Sequence, residues 1–221
     1  MAAETTGAAG SRIESLLFHG PAGRLEGFLK RPPVELARPG AAVVCHPHPM
    51  FGGTMHNKVV HAAAEALVRC GFPVMRFNFR GVGRSAGAHD GGRGEQDDLR
   101  AALDTLAERF PGEPIVVAGY SFGAFVGLRV GMEDPRAAAL LGIAAPVGLF
   151  NFGFLRECRK PLALIHGESD PLAPLGLVLT LAAMLPAEAR VLPVAGAAHG
   201  FADQLDALAE RVTEAVRWWY G

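Results

Sequence analysis

The stretch Val116-Val117-Ala118-Gly119-Tyr120-Ser121-Phe122-Gly123, continued by Ala124-Phe125-Val126-Gly127-Leu128, decides the fold. An apolar run reaches Gly-x-Ser-x-Gly and passes at once into a second apolar segment, which predicts a strand turning sharply into a helix with one serine lifted at the turn. Such a turn strains the serine backbone and brings strand and helix so close that the flanking positions must be small. Gly119 and Gly123 meet that need. With 28 glycines and five serines in 221 residues, chance places the pattern roughly 0.08 times in such a chain, so its setting weighs more than its letters.

Outward from this turn the pattern repeats. Ala41–Cys45 is a continuous apolar run, expected of a strand covered on both faces, and it ends in the irregular segment His46-Pro47-His48-Pro49-Met50-Phe51-Gly52-Gly53. Val59, Val60, Ala63, Ala64, Leu67 and Val68 recur at helical spacing until Gly71. Phe72–Phe79 reads as the next strand, followed by a glycine-rich loop from Arg80 to Gly92. Leu99, Leu103, Leu106 and Phe110 mark a second amphipathic helix. Downstream, Ala137–Ala145, Leu162–Ile165 and Arg190–Val194 read as strands, Leu172–Leu185 as a mostly apolar helix, and Leu205, Leu208, Val212, Ala215 and Trp219 as one face of a final helix. Near the start, Arg12–Phe18 and Arg24–Lys30 flank His19–Gly23 as a hairpin. The alternation predicts an α/β fold, a mainly parallel sheet with helices on both faces. Residues 1–10, small and polar, are expected to form a flexible tail, and 11–221 a single domain.

Bulk properties narrow the function. Apolar residues make up 50% and charged residues 19%, enough for a substantial core. A net charge of −1 with no dense Lys/Arg run gives a polyanion nothing to bind, which argues against nucleic acid as a partner. Cys45, Cys70 and Cys158 are odd in number and scattered, as expected of reduced thiols in a cytoplasmic protein. Two uncharged stretches, Ala137–Leu155 and Pro171–Ala187, are interrupted by Pro146 and Asn151 and by Pro174, Gly176 and Pro186, so buried globular elements are expected and no membrane span. His46, His48, His56 and His61 fall close together without carboxylates or cysteines at ligand spacing, so no metal site is expected. Gly81-x-Gly83 with Gly87 is not G-x-G-x-x-G, and no helix follows it directly, so no cofactor is expected. Asn78, Arg80 and Arg84 are read as stitching that loop to its neighbours, and Glu95, Asp97 and Asp98 as negative charge suited to a helix N-terminus.

Ligands of an open parallel sheet gather at the carboxyl ends of its strands. Four predicted loops leave such ends: His46–Gly53, Gly119–Gly123, Gly167–Asp170 and Gly196–Gly200. The last three carry a serine, a carboxylate and a histidine in the order Ser121, Asp170, His199. A serine hydroxyl attacks only with a base in hydrogen-bond reach; a histidine can take that proton near neutral pH and return it to a leaving group. An aspartate fixes the histidine tautomer and stabilises the imidazolium. Asp170 precedes Pro171 and also suits a turn; Glu168 and Asp203 are its substitutes. An oxyanion hole would use the Phe122 N–H and a second from the His46–Gly53 loop. Pro47 and Pro49 have none to give, which leaves His48 first, with Met50 and Phe51 as rivals. The connection after Ala145 is too short for a large helical lid. Its Phe150 and Phe152, with Phe51 and Phe201, are candidates for an apolar acyl pocket, with core packing as the competing assignment.

These features come together in a resemblance. The Ser, Asp, His order, the stretches Gly20-Pro21-Ala22-Gly23-x-Leu25-Glu26, His46–Gly53 with Asn57-Lys58-Val59-Val60, and Arg76-Phe77-Asn78-Phe79-Arg80-Gly81-Val82-Gly83, together with Gly119–Gly123, resemble the α/β-hydrolase superfamily. In particular the chain is similar to the compact, lidless bacterial proteins called predicted α/β-superfamily hydrolases. The resemblance implies a sheet of about eight strands, Ser121 as nucleophile, His199 as base and Asp170 as its partner. It also implies hydrolysis of a small-molecule acyl ester of short or medium chain through an acyl-enzyme, without cofactor. A peptidase or thioesterase would share the triad, and a non-catalytic binding module would share the fold. The sequence leaves the oligomeric state open.

Overall fold

The strand that leads into Ser121 lies in the interior of the sheet. The structure, a computed structural model, describes residues 4–6, 12–185 and 189–221. Its strands are β1 Glu4–Thr6, β2 Arg12–Gly20, β3 Gly23–Arg31, β4 Ala41–Cys45, β5 Val74–Phe77, β6 Ile115–Tyr120, β7 Ala137–Ile143, β8 Leu162–Gly167 and β9 Ala189–Val194. The helices are α1 Lys58–Arg69, α2 Arg93–Arg109, α3 Phe122–Glu133, α4 Leu175–Ala182 and α5 Leu205–Tyr220. The strands form one sheet in the order β1-β2-β3-β5-β4-β6-β7-β8-β9. From β5 to β9 every pairing is parallel; the hairpin β2-β3 and its neighbours β1 and β5 pair antiparallel.

The apolar runs are two-sided because successive side chains point to opposite faces. Along β4, Ala41, Val43 and Cys45 join one core while Ala42 and Val44 join the other; along β6, Ile115 and Val117 part from Val116, Ala118 and Tyr120 in the same way. The first core is closed by α2 and α3, with Leu99, Leu103, Leu106, Val126 and Leu128. The second is closed by α1 and α5, with Val60, Leu67, Leu208 and Val212. Each such buried Leu or Val stabilises the fold by roughly 1.5–3 kcal/mol relative to exposure.

Where element boundaries differ from the periodic pattern, side-chain chemistry accounts for it. Strand β5 ends at Phe77: the Asn78 N–H still bonds β3 at Glu26 O, 2.9 Å away, but the next N–H, of Phe79, leaves the ladder for His46 Nε2 at 3.0 Å. Helix α2 starts at Arg93, well before its first buried leucine, because Glu95 closes its N-terminus. Helix α4 is limited to Leu175–Ala182 because Asp170 draws the preceding residues into a turn and Pro174 sets the cap. Of the tail expected at 1–10, Glu4–Thr6 pair with Arg12–Glu14; the rest lies outside the described residues. No helix among the described residues is long and apolar enough to cross a membrane. Residues 144–161, which join β7 to β8, hold only a short 3-10 segment at Gly153–Glu157 and no lid.

Candidate active site

Ser121 stands between β6 and α3 at φ 55° and ψ −119°, a left-handed setting that costs a non-glycine residue of order 1–3 kcal/mol. It is held there from both sides. The Ser121 N–H donates to Ile143 O at 2.9 Å, and Ser121 O accepts from the N–H groups of Ala124 and Phe125 at 2.8 and 3.3 Å. A Cβ on Gly119 would strike the Gly123 carbonyl, and one on Gly123 would lie 2.5 Å from the carbonyl oxygens of both Cys45 and His46. The two flanking glycines are therefore set by how closely the helix passes strands β6 and β4.

The ends of β6, β8 and β9 bring Ser121, Asp170 and His199 together. His199 Nε2 lies 2.9 Å from Ser121 Oγ, and its Nδ1 lies 2.7 Å from Asp170 Oδ2. An Nδ1 facing a carboxylate must carry the hydrogen, which leaves Nε2 free to accept from the hydroxyl, the tautomer a general base needs. The turn-forming and histidine-binding readings of Asp170 hold at once, on different oxygens: Oδ1 accepts from the N–H groups of Leu172 and Ala173 at 2.9 and 3.2 Å, while Oδ2 takes His199. Burial pushes the Asp170 carboxyl up, but His199 and these two N–H groups outweigh it and hold it below the usual carboxylate range. Glu168 instead accepts from the Gly196 N–H at 3.3 Å, and Asp203 is exposed.

Two supports of this arrangement escaped the sequence reading. Tyr120 donates its hydroxyl to His199 O at 3.1 Å; burial and the nearby Asp170 push its pKa up to about 12, so it remains a donor at neutral pH. His166, fully buried at the end of β8, has Nε2 2.6 Å from Ala173 O and 3.5 Å from Asp170 Oδ2. Burial lowers its pKa, and its Nδ1 has no partner among the described residues.

On the other side of the serine lies the loop after β4. Among the described residues, the N–H groups of Phe122 and His48 donate to no protein acceptor. Those of Met50 and Phe51 are engaged, by His48 Nδ1 at 3.2 Å and His48 O at 3.1 Å. His46 anchors the loop: Nδ1 lies 2.7 Å from Pro47 O, and Nε2 accepts from the Phe79 N–H at 3.0 Å. Burial pushes the His46 pKa down to about 4. His56 and His61 are exposed elsewhere, and among the described residues no three His, Cys, Asp or Glu side chains are grouped to hold a metal.

The four phenylalanines considered for a pocket are not brought together. Phe201 and Phe152 are buried in separate cores, Phe150 is half-buried and stacks on Phe125 with ring centres 4.8 Å apart, and Phe51 is 87% exposed. Instead, rings that the sequence reading did not connect flank Phe122. His89 and Glu95 pair at 2.7 Å between Nδ1 and Oε1, and the His89 ring centre lies 4.7 Å from that of His48 and 5.6 Å from that of Phe122. The available signal was Glu95 three residues after Gly92, the spacing of a capping box; it marks the helix start and gives no hint of the histidine. Nearby, Asn78 accepts from Met55 N–H and donates to Glu26, both at 2.8 Å. Arg80 forks onto the buried Asp98 at 2.8 and 3.0 Å, and Arg84 reaches Glu26 through its backbone N–H at 2.6 Å.

Known proteins share this architecture. A family model described as serine aminopeptidase, S33, matches residues 38–151. An uncharacterized protein of Rickettsia prowazekii is 39% identical over 164 residues, 72% of this chain and 67% of its own length. An α/β serine hydrolase homologue from Coxiella burnetii superimposes with a TM-score of 0.87 at 35% identity, covering 91% of this chain and 96% of its own. An α/β serine hydrolase without lid from Xanthomonas campestris gives a TM-score of 0.87 at 36% identity, covering 93% and 94%. With a strained serine between strand and helix, a family match over more than half its residues and two such relatives aligned nearly end to end, the chain belongs to the α/β-hydrolase family, among its lidless serine hydrolases.

Proposed function

We propose that this protein hydrolyses short- or medium-chain carboxylic esters through a Ser121 acyl-enzyme. The observation that carries the reading is the continuous chain of contacts from Ser121 Oγ to His199 Nε2 and from His199 Nδ1 to Asp170 Oδ2, at 2.9 and 2.7 Å. His199 takes the serine proton as Oγ attacks the ester carbonyl, and the imidazolium that forms is stabilised by Asp170. The carbonyl oxygen becomes an oxyanion that accepts from the N–H groups of Phe122 and His48, neither of which is engaged by a protein acceptor among the described residues. His199 then gives its proton to the departing alkoxide, and a water activated by the same imidazole releases the acid. The absence of a lid suits small, freely diffusing esters.

A peptidase reading is favoured by one observation, the serine aminopeptidase description of the matching family. Esters and aminoacyl anilides compared side by side separate the two. The central test is labelling with a fluorophosphonate probe and mapping of the modified residue, expected to be Ser121. Ser121→Ala is expected to lower kcat/KM for a nitrophenyl ester at least about 10⁴-fold with an unchanged circular dichroism spectrum; retained activity removes the mechanism.

A further inference from the structure

A second imidazole–carboxylate pair packs against Phe122, the residue after the serine, and we propose that His89, fixed by Glu95, is the positioning residue of the oxyanion hole. This rests on the reading of Phe122 and His48 as the two backbone donors. One imidazole touches the side chains of both: His89 to His48 at 4.7 Å, His89 to Phe122 at 5.6 Å, and His48 to Phe122 at 4.8 Å between ring centres. The three rings close a triangle whose corners on the catalytic side carry the donors.

The His89 corner is fixed more firmly than a loop residue ordinarily is. Glu95 has no exposed side-chain surface, and its carboxylate accepts from His89 Nδ1 at 2.7 Å, the Asp90 N–H at 2.9 Å and the Gly92 N–H at 2.8 Å. The segment from His89 to Gly92 is thereby tied to the first turn of α2. The next turn of the helix is tied in its own right to the loop after β5 by the Arg80–Asp98 fork. The segment also packs on α3, since a Cβ on Gly92 would lie 3.5 Å from the Phe122 ring and 3.3 Å from that of Phe125. On the far side His48 is confined by Phe51, 5.0 Å away between ring centres, and by the Met50 N–H on its Nδ1.

Two donors stabilise one oxyanion only if both reach it at about 2.7–3.1 Å. A ring that spaces their side chains therefore acts on the transition state more than on the bound substrate. His89 has no hydrogen bond to Ser121 or His199 among the described residues, so it acts through its neighbours. Among the described residues, the titratable side chains in contact with it are Glu95 and His48.

His89→Ala tests this. The expected result is a fall in kcat of about tenfold with KM within about twofold, and an equal loss of affinity for phenylboronic acid, whose tetrahedral adduct with the serine places an oxygen in the hole. Affinity for the carboxylate product, which needs no such placement, should stay within about twofold. His89→Phe keeps a ring against His48 and Phe122 but loses the bond to Glu95, and should fall between wild type and His89→Ala. Should the alanine variant fail to fold, the ratio of boronate to product affinity in His89→Phe decides. An unchanged kcat and boronate affinity, or a parallel loss of boronate and product affinity, overturns the proposal. Failure of the fluorophosphonate to label wild-type Ser121 removes the serine mechanism and this inference together; a labelled wild type with unaltered variants removes this inference alone.

Discussion

Two imidazole–carboxylate pairs lie around the Ser121–Phe122 turn, one bonded to Ser121 and one packed on Phe122, and both have a 2.7 Å contact between Nδ1 and a carboxylate oxygen. They differ in what the far side of the imidazole meets. His199 presents Nε2 to a hydroxyl that is itself held at a positive φ, whereas His89 presents its ring to two other rings. On the proposed reading, the same local chemistry would serve proton transfer in one place and spacing in the other. The carboxylates differ too: Asp170 shares its oxygens between His199 and a turn, while Glu95 closes the N-terminus of α2.

Between the two pairs, the larger effect is expected at Asp170. Asp170→Asn should lower kcat for a nitrophenyl ester by about 10⁴-fold, roughly 5.5 kcal/mol of barrier, because the amide no longer enforces the tautomer that leaves Nε2 bare. The side-chain oxygen of asparagine can still accept from Leu172 and Ala173, so the urea midpoint should move little. A kcat near wild type would erase the distinction between the pairs. Glu95→Ala reverses the pattern. Two backbone N–H groups lose their acceptor, and a stability loss of about 2 kcal/mol is expected in urea unfolding, with kcat affected only through His89. A collapse of kcat as deep as that of Asp170→Asn would make Glu95 catalytic.

A third test isolates an imidazole with no carboxylate bonded to it. His46 is held at a pKa of about 4 by burial, below the ordinary value of about 6.5. Below about 6.5 the unfolded chain binds a proton that the folded protein refuses, so stability falls as pH drops from about 6.5 to 4, by up to about 1.4 kcal/mol per pH unit, and is fully present above that window. Asp170 acts in a lower window with its own sign. Its depressed carboxyl contributes stability above the ordinary carboxylate range, near 3.9, that is lost as pH falls through its folded pKa. His46→Gln should make the upper limb of a pH series of urea midpoints less steep, the rest of that limb coming from His48, His61 and His166, whose pKa values burial also lowers, and should leave the lower limb; an unchanged upper limb would refute this account of His46.

The fold was legible because the buried strands Ala41–Cys45 and Ile115–Tyr120 are short apolar runs with glycine or proline at their ends, and both faces of each are covered. Ser121, Asp170 and His199 were legible because a parallel sheet collects loops at one end, so three residues far apart in sequence could be placed together by topology. The rings were not. Phe152, Phe150, Phe51 and Phe201 have the same composition signal, and only tertiary packing separates two core rings from one stacked and one exposed. His89 was illegible for a related reason: its partner Glu95 is six residues away across an irregular loop, and no periodicity links them. Tyr120 and His166 read simply as strand residues, and their contacts with the His199 and Asp170 loops follow from where β6 and β8 end.

The short crossing from β7 to β8 at residues 144–161 has a kinetic consequence. Lidded relatives of such a site must open before each encounter, a step of microseconds to milliseconds that often limits turnover. Here no segment of that connection has to swing aside. Velocity should therefore rise hyperbolically with dissolved ester and continue smoothly past its solubility limit, with no jump when droplets form.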